Sequence, residues 1–263
     1  MKLILTDLDG TFLNSEGQFD RDYFKAVKQK LEEKQIAFAA VTGKQVERVE
    51  ELFGDAIENV WILGDSASRI KYNGKFFFES LIQNAFGMEI IRELEKIQGD
   101  QTIIACTPNA AYIQKSRPEI ERLGVRRSYA VVKEIDDWAE IKEDFVKITV
   151  LDVQKRAFET IKGIQKYENQ LYMVASEPMW IDITDFGVHK GTTVQRLQEI
   201  LHVSKQATVA FGDGYNDFEM FEEAGTTYAM ANAFDEVKKK ATYTAPSNDE
   251  NGVLKTIEHL LKY

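Results

Sequence analysis

Two aspartates stand at the end of a short apolar run near the amino terminus, in Leu3-Ile4-Leu5-Thr6-Asp7-Leu8-Asp9-Gly10-Thr11. Paired carboxylates at a strand tip can hold a hard cation, and one of them can also act as a nucleophile. Taken alone, the same letters suit a plain strand followed by an Asp-Gly turn. Similar polar clusters recur, however, at Thr42-Gly43-Lys44, Gly64-Asp65-Ser66 and Gly212-Asp213, each just after an apolar run of strand length.

The elements needed to position these clusters can be read from hydrophobic pattern. Residues 36–41, 60–63 and 207–211 read as buried strands. Phe24, Val27 and Leu31 mark one intervening helix, and Val46, Val49, Leu52 and Phe53 mark another. Strand–helix–strand alternation implies a parallel sheet covered by helices on both faces. Ligands bind beyond the carboxyl ends of such strands, where all four polar clusters fall.

The middle of the chain has another rhythm. Asn73-Gly74 marks a hairpin turn. Beyond it we read a helix at 86–97, strands at 102–107 and 111–114, a short helix, and a strand at 129–132. A short helix near Trp138, a strand at 145–151, a helix at 158–164 and paired strands at 171–175 and 180–184 complete the section. Closely spaced strands predict a mostly antiparallel sheet with helices on one face. The expected fold class is therefore α/β, a Rossmann-like parallel-sheet core with a smaller inserted α+β domain. The core is expected over residues 1–81 and 189–263 and the insertion over 82–188.

Composition sets the limits. The 263 residues are 44% hydrophobic and 29% charged, which describes an ordinary globular chain able to bury a substantial core. The net charge of −10 argues against nucleic acid or an anionic membrane as partner, and an anionic small substrate would need a local cation. No apolar run reaches the ~20 residues that span a bilayer, and no signal peptide is apparent. One cysteine, Cys106, rules out an intrachain disulfide framework and suits a reducing cytoplasm; its apolar setting predicts core packing. Three scattered histidines do not make a zinc site, though His189 adjoins Lys190 and so could reach a substrate. Trp138 and Trp180 are expected to pack in the core or at the mouth of the inserted domain.

Asp7-Leu8-Asp9-Gly10-Thr11, Thr42-Gly43-Lys44, His189-Lys190-Gly191 and Gly212-Asp213-Gly214-Tyr215-Asn216-Asp217 occur in the order of the four motifs of the haloacid dehalogenase-like superfamily. The chain most resembles its Cof-type phosphatases, whose α/β cap is inserted after the third core strand. Ala229-Met230-Ala231-Asn232-Ala233 and Ser247-Asn248-Asp249-Glu250-Asn251-Gly252-Val253 are similar to the family's closing segments. The resemblance spans essentially the whole chain.

The resemblance implies a Mg²⁺-dependent phosphatase acting on a small phosphorylated metabolite, a sugar phosphate or similar compound, as a monomer or small homo-oligomer. Asp7 would be the nucleophile, passing through an aspartyl-phosphate. Asp9 would protonate the leaving oxygen and then deprotonate the attacking water. Lys190 would neutralise Asp7 and the phosphoryl oxygens. Thr42, Gly43, Lys44 and Asn216 would bind phosphate. Asp7, Asp213 and the Asp9 carbonyl would hold the metal, with Asp217 acting directly or through water. A capping box is the structural alternative for Asn216 with Glu219. Two departures bear on substrate: Lys44 replaces the usual arginine, and Asp65-Ser66-Ala67 replaces Asn-Gly-Ala, both where the leaving group is expected to approach. A sugar phosphotransferase or mutase sharing the intermediate, and a phosphoacceptor signalling module without turnover, are the rival readings.

Overall fold

The computed structural model describes residues 1–262, excepting the side chains of Ser176 and Glu177. The chain begins with β1 (Leu3–Thr6), α1 (Arg21–Glu33), β2 (Ala37–Val41), α2 (Val46–Phe53) and β3 (Val60–Gly64). The hairpin β4 (Arg69–Tyr72) and β5 (Lys75–Glu79) follows. Asn73 and Gly74, at φ +45° and +78°, form the expected tight turn between them.

A second lobe then comprises α3 (Asn84–Ile97), β6 (Thr102–Cys106), β7 (Ala111–Gln114), α4 (Glu119–Ser128) and β8 (Val132–Ile135). It continues with β9 (Lys147–Leu151), α5 (Ala157–Ile164), β10 (Leu171–Glu177) and β11 (Trp180–Asp185). The chain returns through α6 (Lys190–Leu201), β12 (Thr208–Gly212), α7 (Phe218–Glu222), β13 (Thr226–Met230), α8 (Asp235–Lys240), β14 (Tyr243–Ala245) and α9 (Gly252–Leu260).

The larger sheet has the order β14-β13-β12-β1-β2-β3-β4-β5. It is parallel from β14 to β3 and antiparallel through the β4 and β5 hairpin. Its central strands are buried on both faces, which explains why they read as uninterrupted apolar runs. Phe12, Phe24, Phe38 and Phe53 meet beneath the loop after β1, with the rings of Phe12 and Phe53 stacked at 5.7 Å. Removing Phe24, fully buried at the centre of this cluster, should cost about 3–5 kcal/mol. The chemistry of the following loop thus rests on a packed aromatic floor.

The smaller sheet has the order β10-β11-β9-β6-β7-β8, antiparallel except for the β7–β8 pair. Helices lie on both of its faces, not on one as the sequence suggests. Ile103 and Ala105 of β6 belong to the core that includes residues of α3 and α5, whereas Ile104 and Cys106 pack with Val125 of α4. The strand expected at 129–132 is displaced to Val132–Ile135. The Tyr129 amide instead completes α4 by donating to Val125, and the amides of Ala130 and Val131 are engaged by Gln45 Oε1 at 3.0 and 3.5 Å. The two crossings between lobes lie side by side, with Ser80 Oγ donating to Asp185 Oδ2 at 2.7 Å. Among the described residues no helix is long and apolar enough to cross a membrane.

Candidate active site

Pairing of β1 with β12 brings the two acidic loops together. The Asp7 amide donates to Phe211 at 3.0 Å, so Asp7 is fixed as the last paired residue before the chain turns. The turn needs Gly10, which has φ +72°; a Cβ there would collide with the Asp213 carboxylate. Thr11 Oγ1 donates to Asp213 Oδ1 at 2.7 Å and fixes that carboxylate in turn.

Lys190 opens α6 and is buried between two aspartates, donating to Asp7 Oδ1 at 2.7 Å and to Asp217 Oδ1 at 2.6 Å. Asp217 Oδ2 accepts the amides of Asp213 and Gly214, each at 3.0 Å, folding the second acidic loop around its own carboxylate. Asp7, Asp213 and Asp217 each offer an oxygen within 4.8 Å of the others, an arrangement able to hold a metal ion.

The electrostatics follow from this crowding. Burial raises the Asp7 pKa well above the ordinary carboxylate value; Lys190 opposes the shift, and Asp217 and Asp213 reinforce it. Burial and neighbouring Asp217 push Asp213 up to about 6. For Lys190, burial works against the charge, but Asp217 and Asp7 more than compensate, so the ammonium is kept. Three carboxylates around one ammonium leave negative charge for a further cation to balance.

The other expected residues surround this trio. Thr42 extends from β2, its amide bonded to Leu63, and its hydroxyl accepts the Lys44 amide at 3.1 Å. Gly43 and Asn216 line the same cleft as Asp7. Asp9 stands outside the carboxylate trio, its mostly exposed side chain paired with Lys44 Nζ at 2.9 Å. Lys44 lines the same cleft beside Asp9.

Two expectations need correction. Asp65 does not face the leaving group: it is fully buried, its Oδ2 taking Arg69 Nε at 2.7 Å and the Val46 amide at 3.3 Å. Asp65, Ser66 and Ala67 all adopt positive φ, and Ser66 lines a smaller pocket beside the cleft together with Gly43 and Asp182. Asn216 does not cap a helix with Glu219. Asp217 organises that turn, and Glu219 instead accepts the Tyr172 hydroxyl of the second lobe at 2.6 Å. Trp138 is a core residue, whereas Trp180 lines the cleft.

The cleft, about 420 Å³, is roofed by residues that motif reading does not reach: Ser128, Tyr129, Lys147, Thr149 and Asp182. A signal existed for Lys147, a lone charge opening the wholly buried strand Lys147–Leu151. Such a charge demands a partner, here Asp182 on β11 at 3.1 Å.

Comparison with known proteins agrees with this geometry. The family model for haloacid dehalogenase-like hydrolases matches residues 4–257. The chain is 29% identical to the 5-amino-6-(5-phospho-D-ribitylamino)uracil phosphatase YbjI of Escherichia coli K12, over 100% of this chain and 97% of that one. It is 27% identical to the phosphatase of the same name, YwtE, from Bacillus subtilis 168, over 99% and 98% of the two chains. The crystal structure of SMU.1108c from Streptococcus mutans UA159 superposes with a TM-score of 0.95 at 31% identity, covering 100% of both chains. With its ordered motifs, parallel-sheet core and inserted cap, this chain belongs to the haloacid dehalogenase-like hydrolases, and its Cof-type relatives are phosphatases.

Proposed function

We propose that this hydrolase is a Mg²⁺-dependent phosphatase that cleaves a small phosphorylated metabolite through an aspartyl-phosphate on Asp7. The observation that carries the reading is Asp7 itself: buried at the cleft floor, with Oδ1 held by Lys190, which leaves Oδ2 for the phosphorus. Phosphate-monoester hydrolysis is among the slowest uncatalysed reactions, and dividing it into two transfers lowers each barrier.

The donor set fits a hard cation, since all three candidate ligands are carboxylates and the surplus negative charge is buried. Asp7 and Asp213 would hold it with the Asp9 carbonyl, while Asp217, already engaged by Lys190 and two amides, serves through water or as a brace. When bound, Mg²⁺ supplies charge neutralisation at the phosphoryl oxygens.

The chain's own groups perform the remaining steps. Thr42 Oγ1 and the Gly43 amide donate to the phosphoryl oxygens, with Lys190, Lys44 and Asn216 completing the cradle. Asp9, oriented by Lys44, gives a proton to the departing oxygen and later takes one from the water that cleaves the aspartyl-phosphate. The cap, residues 82–188, covers the cleft and meets the leaving group. The phosphorylated ribityl compound named for the two relatives supports a small polyhydroxylated metabolite as the substrate class.

The test is phosphate release across a panel of phosphorylated metabolites, with and without Mg²⁺, for the native chain and for Asp7→Asn. Mg²⁺-dependent release that vanishes in the variant is expected. A stable phosphoryl group on Asp7 without turnover would favour the signalling reading, and transfer to an added sugar would favour the phosphotransferase.

A further inference from the structure

Three polar side chains of the cap and one of the core form a closed network beside the phosphate loop. Lys147 Nζ donates to the Gly43 carbonyl at 2.8 Å, to Ser66 Oγ at 3.1 Å and to Asp182 Oδ1 at 3.1 Å. An ammonium has three donors, so each is placed. Asp182 Oδ1 also accepts Thr149 Oγ1 at 2.7 Å, and Oδ2 accepts Ser66 Oγ at 2.7 Å. An ionised carboxylate has about four acceptor positions, which leaves one open on Oδ2.

The two charges differ in access. The Lys147 side chain is 3% exposed and that of Asp182 is 14% exposed, and Asp182 lines the cleft that holds Asp7. Asp182 also stands close to the phosphate loop: a Cβ on Gly43 would lie 3.5 Å from Asp182 Oδ2. A leaving group attached to a phosphate in that loop therefore meets an acceptor with one vacant position. It finds no spare donor on the lysine behind.

We propose that Asp182 is a specificity-determining residue: its Oδ2 accepts a hydroxyl from a neutral, polyhydroxylated leaving group, and the Lys147–Asp182 pair disfavours leaving groups with a second anionic group. The inference rests on the phosphatase reading and deepens it. The physical basis is the cost of an unmade bond inside an enclosed site. A hydroxyl completes the Asp182 shell, whereas a carboxylate or second phosphate brings like charge against it with Lys147 already saturated.

The experiment compares kcat/KM for two substrates whose leaving groups share one skeleton, sorbitol 6-phosphate and 6-phosphogluconate, with p-nitrophenyl phosphate as a reference lacking hydroxyl donors. The native chain should prefer sorbitol 6-phosphate by about tenfold to a hundredfold, the range expected for a hydrogen bond to a charged group. Asp182→Asn should reduce that ratio tenfold or more, through weaker turnover of the polyol and better turnover of the carboxylate, because Lys147 is no longer neutralised. A purely structural role would lower turnover of both and leave the ratio in place. The double variant Lys147→Met/Asp182→Asn leaves no unpaired buried charge and should bring the ratio toward one.

A native ratio near one, a ratio unmoved in both variants, or failure to cleave sorbitol 6-phosphate by a chain active on p-nitrophenyl phosphate would overturn the assignment. Absence of turnover on all three compounds would instead overturn the phosphatase reading beneath it.

Discussion

The two walls of the cleft solve the problem of buried charge differently. On the core wall, two carboxylates share one ammonium with a third beside them, and the excess negative charge is held in place by backbone amides and Thr11. On the cap wall, one lysine and one aspartate from adjacent strands neutralise each other and use nearly all their hydrogen-bonding capacity. The core wall carries surplus negative charge able to hold a metal ion; the cap wall is nearly charge-balanced and almost saturated in hydrogen bonds. The two walls thus differ in charge balance as well as in position.

The sharpest way to break the core wall is Asp7→Asn. It should lower turnover by at least about 10⁴-fold, because the neighbouring carboxylates Asp213 and Asp217 are already committed to Thr11, Lys190 and backbone amides. Circular dichroism should show the fold retained, since Lys190 keeps Asp217 as partner.

The cap wall should fail differently. Lys147→Met strands a buried Asp182 carboxylate and should cost about 3–5 kcal/mol, or roughly 10 °C in thermal midpoint. A differential scanning measurement checks this. By contrast, Lys44→Ala breaks a pair whose aspartate is 64% exposed, and should change stability by less than about 1 kcal/mol while altering turnover.

In the cation-free protein, burial and Asp217 hold Asp213 at about 6, above the ordinary 3.8. Its folded pKa exceeds its unfolded one, so the folded state retains an extra proton between these values, and stability falls as pH rises through that window. A bound cation removes the penalty and must displace that proton at lower pH. The gain in thermal midpoint on adding Mg²⁺ should therefore be larger near about pH 7.5 than near about pH 5. The smallest effect is at Cys106, fully buried and pushed up to about 12, which should resist thiol reagents until the chain unfolds.

Much of the core wall was legible in the sequence because its residues follow strand ends at fixed short spacings. Asp7, Thr42 and Asp213 each sit at the carboxyl end of a buried strand, where the topology of a parallel sheet gathers them. Asp65 misled for the same reason: it also follows a strand, but three successive positive φ values turn its carboxylate inward to Arg69. The cap wall was hidden because Lys147 and Asp182 are 35 residues apart and meet only through the β9–β11 register, which pairs Asp182 with Thr149. Tyr129 misled through its β-propensity: Gln45 of the core engages the next two amides and delays β8 to Val132.

The central claim, that Asp7 carries the phosphoryl group, is tested most directly by quenching the chain in acid during steady turnover of p-nitrophenyl phosphate. Mass spectrometry of the peptide containing Asp7 then reads the result. The account predicts a phosphoryl group on Asp7 that disappears at the turnover rate once substrate is removed before the quench, and that never forms in Asp7→Asn. Turnover with no phosphoryl group on Asp7, or turnover that survives Asp7→Asn, would contradict it.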